Sequence, residues 1–236
     1  MKKNPDYTVI YSDDDIVVLN KRSNLLIAQD RYDADAPRLD LLAEKEFGHL
    51  FAVHRIDKDT SGIIVYARNE NAHQNLSVQF EKRLVEKTYH ALVRGKPMWD
   101  SLHVDLPLLP DGDSRHRTVV NKRFGKPSVT DFKFLCSAGL FSWIEAKPKT
   151  GRTHQIRVHM KYLGCQILGD KLYSKPDENF PDVPLMLHSR KLVIKLPGKE
   201  KYHCFKAQIP SRFYEVLKKL KKKYPKEVMP RVKCIR

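Results

Sequence analysis

The segment His54–Arg68 constrains the fold of this chain most, because a polar loop there leads directly into an apolar run. Residues Ile63–Ala67 form that run, and turn-forming residues lie just before it. A short apolar run bounded in this way predicts a β-strand that is buried on both faces. Asp57 would then lie on a loop anchored by a core strand, where rigid scaffolds often carry reactive groups. The alternative is that Asp57 is a turn residue whose side chain binds nearby backbone N–H groups.

The charge of the chain predicts a polyanionic partner. Its 236 residues carry a net charge of +16, and the basic residues are concentrated in two places. Residues 211–236 contain ten Lys and Arg against two Glu, and residues 115–126 contain five further basic residues. Two concentrated patches favour a surface that follows the phosphates of a nucleic acid. The alternative is a solvated basic surface of the kind that many proteins have.

Several features argue against a membrane protein, a secreted protein and a metal or thiol redox site. No apolar run approaches the roughly 20 residues that span a bilayer, and the start of the chain lacks the apolar segment of a signal peptide. The four cysteines, at positions 136, 165, 204 and 234, form no C-x-x-C pair. We therefore expect a cytoplasmic protein with reduced thiols and no metal.

Periodicity predicts more strands than helices, and most strands follow each other directly. Helices are expected from a start at Asp35–Pro37 to Gly48, and over 70–83, 153–163 and 211–223. Strands are expected over 7–11, 15–20, 63–67, 85–94, 129–135, 140–146, 189–196 and 201–207. Residues 97–128 are short of regular periodicity and are expected to form a long, partly extended, basic excursion. This order predicts an α+β fold with a mainly antiparallel sheet.

Two residues inside these elements stand out by their position. In the strand over 85–94, alternation places Tyr89 on the same side as Ala91 and Val93, towards an apolar layer or a cleft. A half-buried structural tyrosine is the alternative. Arg157 lies near the start of its helix, where a cation gains nothing from the helix dipole. An anionic partner explains Arg157 better than helix stability does, and a solvated helix face is the alternative.

Four segments, in this order along the chain, resemble the motifs of RNA pseudouridine synthases of the RluA type. They are HRIDKDTSGIIVYA (54–67), EKTYHALVRG (86–95), GRTHQIRVHMKYLGCQILGD (151–170) and LHSRKLVI (187–194). The third is long and specific, and His54 before Arg55 favours this family over its sister group, which typically has Gly there. The resemblance implies the α+β catalytic fold of that family, with a central, mainly antiparallel mixed sheet flanked by helices and loops. That domain is expected over residues 1–210, and residues 211–236 are expected to form a basic C-terminal helix and tail.

The resemblance also implies a reaction, the isomerisation of uridine in RNA to pseudouridine. The bond between N1 and C1′ breaks, the base turns, and C5 bonds to C1′, without redox change or hydrolysis. No metal, nucleotide or redox cofactor is therefore expected. The implied partner is structured RNA, either ribosomal RNA, transfer RNA or both, and the protein is expected to act as a monomer.

Four residues match functional positions of the family. Asp57 matches the catalytic carboxylate, which either attacks C1′ or assists a glycal-type intermediate. Arg157 matches its ion-pair partner, since a planar guanidinium can orient a carboxylate through two hydrogen bonds. Tyr89 matches the tyrosine that stacks on the target base, and its hydroxyl is a candidate for removing the C5 proton. Arg55 matches the arginine that can fill the space left when the base is extruded.

The chain departs from the family pattern near its N-terminus. The family segment Lys-Pro-x-Gly-Leu here reads Lys-Arg-Ser-Asn-Leu over residues 21–25, which leaves the shape of that loop open. Many relatives carry an N-terminal S4-like RNA-binding domain, and there is no room for one before Tyr7. The basic tail after Ser211 is expected to take over some of that RNA binding.

Two other functions fit part of these features. A glycoside hydrolase also cleaves a bond at an anomeric carbon, but it normally needs two opposed carboxylates, and nothing marks Asp59 as the second. A non-catalytic RNA-binding or ribosome-assembly protein would show the same charge pattern. Such a protein would have no reason to keep Asp57, Tyr89 and Arg157 together, so the sequence favours the synthase.

Overall fold

The computed structural model describes residues 6–28 and 36–224, and the chain forms two compact units. The first unit contains Met1–Lys87 and His188–Gln208, and the second contains Thr88–Leu187 and Ile209–Arg236. Four helices lie in the described ranges: α1 (Leu39–Phe47), α2 (Glu70–Glu81), α3 (Gln155–Tyr162) and α4 (Ser211–Lys223). Within those same ranges, no helix is long and apolar enough to cross a membrane.

Twelve strands lie in the described ranges. They are β1 (Tyr7–Ser12), β2 (Ile16–Lys21), β3 (Phe51–Ala52), β4 (Ser61–Ala67), β5 (Glu86–Arg94), β6 (Ser101–Asp105), β7 (Leu108–Leu109), β8 (Val119–Val120), β9 (Val129–Ala138), β10 (Phe141–Pro148), β11 (Leu187–Lys195) and β12 (Tyr202–Lys206).

The sheet of the first unit is organised around β4. The strands follow the order β1-β2-β4-β11, with β3 also paired to β4 and β12 paired to β11. These pairs are antiparallel except for β4 with β11, which are parallel. All seven residues of β4 are buried, so the predicted strand with two buried faces is confirmed.

Both helices of the first unit follow from local sequence signals. Asn69 caps α2, because its side chain accepts a hydrogen bond from the Ala72 N–H at 2.8 Å. Ala72 then packs in the core of this unit, as predicted for the apolar stripe of α2. Helix α1 ends at Gly48 as predicted, because this residue adopts φ 74° and donates its N–H to the Glu44 carbonyl. The start predicted at Asp35–Pro37 was too early, because Arg38 is extended and α1 begins at Leu39; Asp35 itself lies outside the described residues.

The second unit contains an antiparallel sheet with the order β5-β10-β9-β6. The predicted hairpin of β9 and β10 is confirmed, and it turns at Gly139 with φ 58°. Helix α4 is amphipathic as predicted, and it buries Phe213, Val216, Leu217 and Leu220. The Phe213 ring contacts the Trp143 ring of β10 at 5.4 Å, so α4 packs on this sheet. The predicted domain boundary at residue 210 stays a prediction.

The segment 97–128 is partly extended, as expected, and it contains the three short strands β6, β7 and β8. Strand β6 pairs with β9 in the main sheet of the second unit, and β7 pairs with β8 as a separate two-stranded ribbon. β7 and β8 contain two residues each, which is too short for side-chain alternation to be visible in a sequence. The predicted α+β class with a mixed, mainly antiparallel sheet is confirmed.

Candidate active site

The loop that carries Asp57 is a tight turn at the start of β4. The Thr60 N–H donates to the backbone carbonyl of Asp57 at 3.1 Å, and the Thr60 side chain is buried directly before the strand. The turn is closed by the main chain of Asp57. The role of the carboxylate stays a prediction.

The buried side chain of Lys21 holds the main chain of this loop by hydrogen bonds. Its side chain is 1% exposed, and its ammonium donates to the backbone carbonyls of Arg22 at 2.9 Å, Leu25 at 2.7 Å and Lys58 at 2.9 Å. The Leu25 N–H also donates to the Lys58 carbonyl at 3.1 Å. The ammonium satisfies three carbonyls that would otherwise be costly to bury. The position next to Asp57 is thus fixed by contacts from the β2 end.

The departure from the family pattern at residues 21–25 leaves this loop intact. Asn24 stands where the family pattern has Gly, and it adopts φ 61°. Asn tolerates this left-handed conformation better than most residues that have a side chain. The following Leu25 is fully buried. The exchange of Gly for Asn therefore preserves the left-handed turn.

His54 and Arg55, at the other end of the loop, have opposite environments. The His54 ring stacks on Phe80 with centroids 4.5 Å apart, and its Nε2 accepts a hydrogen bond from the Val65 N–H at 3.0 Å. Burial, together with the positive charge of Lys87, lowers the pKa of His54 to about 3. His54 is thus a neutral structural residue. Arg55 is exposed.

This environment of His54 predicts an acid-dependent loss of stability. An unfolded histidine has a pKa near 6.5, so the unfolded chain takes up a proton between pH 6.5 and pH 3 that folded His54 refuses. The contribution of neutral His54 to the free energy of unfolding is present above pH 6.5 and is lost as the pH falls below that value. Between pH 7 and pH 5 we expect the free energy of unfolding to decrease by about 2 kcal/mol through this residue.

Urea unfolding of wild type and His54→Gln at pH 5, 6 and 7 measures this contribution. The glutamine carbonyl can accept the Val65 N–H but does not titrate, so the variant is expected to show a pH slope smaller by about one proton. The other titrating groups are common to both proteins and cancel in the difference. Lys87, whose pKa burial lowers to about 8, stays charged over this range. Equal slopes for the two proteins would contradict the assignment.

The exit of the loop is fixed by the parallel pairing of β4 and β11. The Ser61 hydroxyl and His188 Nδ1 are 2.9 Å apart, and both side chains are buried. Gly62 adopts φ 112°, and a Cβ atom there would lie 2.2 Å from the Ser189 carbonyl oxygen. Only glycine allows this approach of the two strands. The motif Thr-Ser-Gly after Asp59 therefore shapes the loop.

Tyr89 and Arg157 belong to the second unit and are both buried. Tyr89 lies on β5 opposite Ala146 of β10 and is 9% exposed. Arg157 lies on α3, and its side chain is 4% exposed. The prediction that Arg157 has an anionic partner is borne out, because its Nε and Nη2 donate to the two oxygens of Asp170, each at 2.8 Å. The solvated-face alternative is therefore wrong, and the pairing of Arg157 with Asp57 stays a prediction.

Asp170 ends the third family segment and is the buried partner of Arg157, which the motifs did not single out. Its side chain is 1% exposed. Besides Arg157, its Oδ1 accepts the N–H groups of Leu172 at 3.1 Å and Tyr173 at 3.2 Å. A buried arginine needs such a carboxylate, so the expected anionic partner of Arg157 was the signal that could have pointed to it.

Tyr173 supports the same guanidinium from its face. The Arg157 Cζ lies 5.2 Å from the centre of the Tyr173 ring. The Tyr173 hydroxyl accepts the Thr118 N–H at 3.1 Å and lies 3.0 Å from His154 Nδ1. Burial raises the pKa of this hydroxyl. Arg157 is thus held at its edge by Asp170 and at its face by Tyr173, which fixes the plane of a permanent positive charge.

Within residues 6–28 and 36–224, no group of three or more His, Cys, Asp or Glu side chains could hold a metal ion. The groups that the candidate residues supply are an exposed arginine (Arg55), a carboxylate on a rigid loop (Asp57), a buried tyrosine (Tyr89) and a fixed guanidinium (Arg157). These groups can aim a charge, transfer a proton and stack on a planar ligand.

Comparison with known proteins shows to which family this chain belongs. A family model described as RNA pseudouridylate synthase matches residues 15–162. The chain belongs to this family. The dual-specificity RNA pseudouridine synthase RluA of Escherichia coli is 37% identical over 204 residues, which are 86% of this chain and 93% of that protein. The ribosomal large subunit pseudouridine synthase D of Borreliella burgdorferi is 36% identical over 217 residues, 87% of this chain and 66% of that protein.

Solved structures of pseudouridine synthase domains have the same fold. The solved structure of human RNA pseudouridylate synthase domain containing 4 is 27% identical in sequence and superposes with a TM-score of 0.73. The superposition covers 90% of this chain and 92% of the human chain. Human RNA pseudouridylate synthase domain containing 1 gives a TM-score of 0.72 at 25% identity, over 92% of this chain and 98% of its own. The predictions of an RluA-type family member, of its α+β fold and of an RNA pseudouridine synthase are confirmed.

Proposed function

We propose that this chain isomerises specific uridines of structured RNA to pseudouridine, with ribosomal RNA, transfer RNA or both as substrates. The observation that carries the proposal is the likeness to RluA over 93% of that protein, at 37% identity. A second relative is named as a synthase of the large ribosomal subunit. We further propose that the protein acts as a monomer in the cytoplasm and that its C-terminal basic helix contributes to RNA binding.

We assign the catalytic step to Asp57. The reaction needs a carboxylate that either attacks C1′ or stabilises the positive charge that develops there as the N1–C1′ bond breaks. Either role requires an ionised carboxylate at a fixed position. The turn at Thr60 and the Lys21 contact to the Lys58 carbonyl support this assignment, because they hold the main-chain carbonyls of Asp57 and of the residue after it.

Arg157 and Tyr89 are assigned to orientation and to proton transfer. Arg157 aims the Asp57 carboxylate during the reaction, and its bond pair with Asp170 keeps the guanidinium plane from turning. Tyr89 stacks on the uracil ring, and its hydroxyl removes the C5 proton after C5 has bonded to C1′. N1 gains a proton in the same overall conversion, so the reaction is balanced without a cofactor.

Arg55 is assigned to the extrusion of the target nucleotide. Taking a base out of an RNA stack costs a few kcal/mol. An exposed arginine next to the catalytic loop can lower that cost, because its planar cation stacks on the neighbouring bases and contacts phosphates.

Pseudouridine mapping of ribosomal and transfer RNA, from cells with and without the gene, tests this function. The expected result is at least one uridine whose modification disappears and returns when the wild-type protein is supplied. The purified protein should modify the same position in an unmodified transcript with no cofactor added. If no position changes in either assay while RNA is still bound, a non-catalytic RNA-binding protein explains the chain better.

A further inference from the structure

A short loop of the second unit presents an aromatic side chain to solvent on a rigid base. The loop runs from Asn121 to Lys126, between β8 and β9. The Asn121 side-chain oxygen accepts the N–H groups of Arg123 at 3.0 Å and Phe124 at 2.9 Å, and its carbonyl accepts the Gly125 N–H at 2.9 Å. Three successive N–H groups of the loop are therefore tied to one residue.

The loop is also hydrogen-bonded to β7 and to the residue before it. Lys126 and Leu108 exchange backbone hydrogen bonds of 2.8 and 3.0 Å, and the Asn121 N–H donates to the Pro107 carbonyl at 2.9 Å. A Cβ atom at Gly125 would lie 2.3 Å from the Asn121 carbonyl oxygen, so the turn leaves no space for a side chain there. This geometry holds the tip of the loop in one conformation.

Phe124 lies at the tip and is 64% exposed. One exposed apolar side chain is ordinary on a protein surface. Phe124 differs in that the guanidinium of Arg123 lies 4.9 Å from its ring centre, and in that Lys122 and Lys126 are exposed on either side. No acidic residue occurs between positions 114 and 126. An aromatic ring in a segment that carries cations and no acidic residue is suited to a nucleotide, whose base stacks and whose phosphates are anionic.

We propose that Phe124 stacks on an unpaired base of the substrate RNA, while Lys122, Arg123 and Lys126 contact the flanking phosphates. This inference rests on RNA being the substrate, and it adds a contact outside the residues assigned to catalysis. The partner is a single-stranded nucleotide in an RNA loop, since a stacked base of a duplex does not offer its face. Base stacking on an aromatic side chain typically changes RNA affinity by about 5- to 100-fold.

Binding of two fluorescein-labelled probes tests the stacking contact without requiring turnover. The probes are an RNA hairpin with an all-uridine loop and a blunt RNA duplex of the same stem. Phe124→Ala is expected to weaken hairpin binding by about 5- to 100-fold and to leave duplex binding unchanged. Phe124→Trp should bind the hairpin like wild type, and Phe124→Leu should behave like the alanine variant, because leucine is apolar but cannot stack.

The salt dependence separates the ring from the cations. Lys122→Ala and Lys126→Ala should each reduce the slope of log affinity against log salt concentration by about one, whereas Phe124→Ala should leave the slope unchanged. Leu140→Ala is the matched control, because Leu140 is also exposed (58%) in the second unit. Equal loss for both probes, or wild-type binding by Phe124→Leu, would overturn the proposal. If these binding effects occur but mapping finds no pseudouridine, the proposed function fails and the stacking contact stands.

Discussion

Asp57→Asn is expected to abolish pseudouridine formation while the dissociation constant for RNA changes by no more than a few-fold. The exchange removes the negative charge and keeps the size of the side chain. The turn is closed by the main-chain carbonyl of residue 57, so the loop should keep its shape in the variant. An amide can neither attack C1′ nor stabilise a cation there. We therefore expect a loss of at least about 10³-fold in the single-turnover rate, of the size seen when a central catalytic group is removed.

The neighbouring carboxylate provides the control for this variant. Asp59 is exposed on the same loop, and Asp59→Asn should retain the wild-type single-turnover rate. A large loss in Asp59→Asn would instead indicate two cooperating carboxylates, as in a glycoside hydrolase. Turnover by Asp57→Asn would refute the role of Asp57. The measurement is the conversion of one labelled uridine in an unmodified transcript, with enzyme in excess over RNA.

Local patterns were sufficient to predict the elements that position Asp57. The apolar run at Ile63–Ala67 has turn-forming residues before it, and both signals lie within a few residues of each other. The helix end at Gly48 likewise depends on a single residue that accepts a left-handed conformation. Such features are fixed by the residue itself, which explains why strand β4 and this helix end were found without knowledge of the fold.

Buried charges could not be predicted in the same way. The strand predicted over 15–20 stops before Lys21, yet in the fold Lys21 ends β2, is buried and donates to three carbonyls. The partner of Arg157 was expected to be an anion, but the identity of Asp170 depends on where the chain returns after α3. A charge becomes buried only when distant segments supply its partners, and the order of residues alone does not state that pairing. The short strands β7 and β8 were missed for a related reason, because their pairing is set by their neighbours.

The second large effect is expected for Asp170→Asn. The amide keeps the shape of the side chain but removes the negative charge that pairs with buried Arg157 at 2.8 Å, which costs about 3 kcal/mol of unfolding free energy. The guanidinium also loses one of the two acceptors that fix its plane. If Arg157 aims the catalytic carboxylate, a small rotation of this plane lowers the rate by about 10²-fold at saturating RNA. Urea unfolding and single-turnover kinetics, each corrected for the folded fraction, measure the two effects.

A matched control distinguishes positioning from general destabilisation. Asp177 is another buried aspartate of the second unit. Its ion-pair partner Arg94 is half exposed, and the Arg94 Nη1 lies 3.6 Å from the Asp177 Oδ2. Asp177→Asn should lower stability but leave the rate of the folded enzyme unchanged, because Arg94 has no part in the proposed chemistry. Equal losses of rate in both aspartate variants would mean that Asp170 matters only for folding.

The combination of Asp170→Asn with Arg157→Ala decides whether the aspartate acts through the arginine. Arg157→Ala alone is expected to lose most activity, because the carboxylate at position 57 is no longer aimed. In that background Asp170→Asn should cause little further loss, since the group that it orients is gone, and the two losses should be far from additive. Additive losses would show that Asp170 influences the reaction by a route that does not involve Arg157. The coupling between these two residues therefore tests the orientation of the guanidinium directly, independently of how much stability either variant loses.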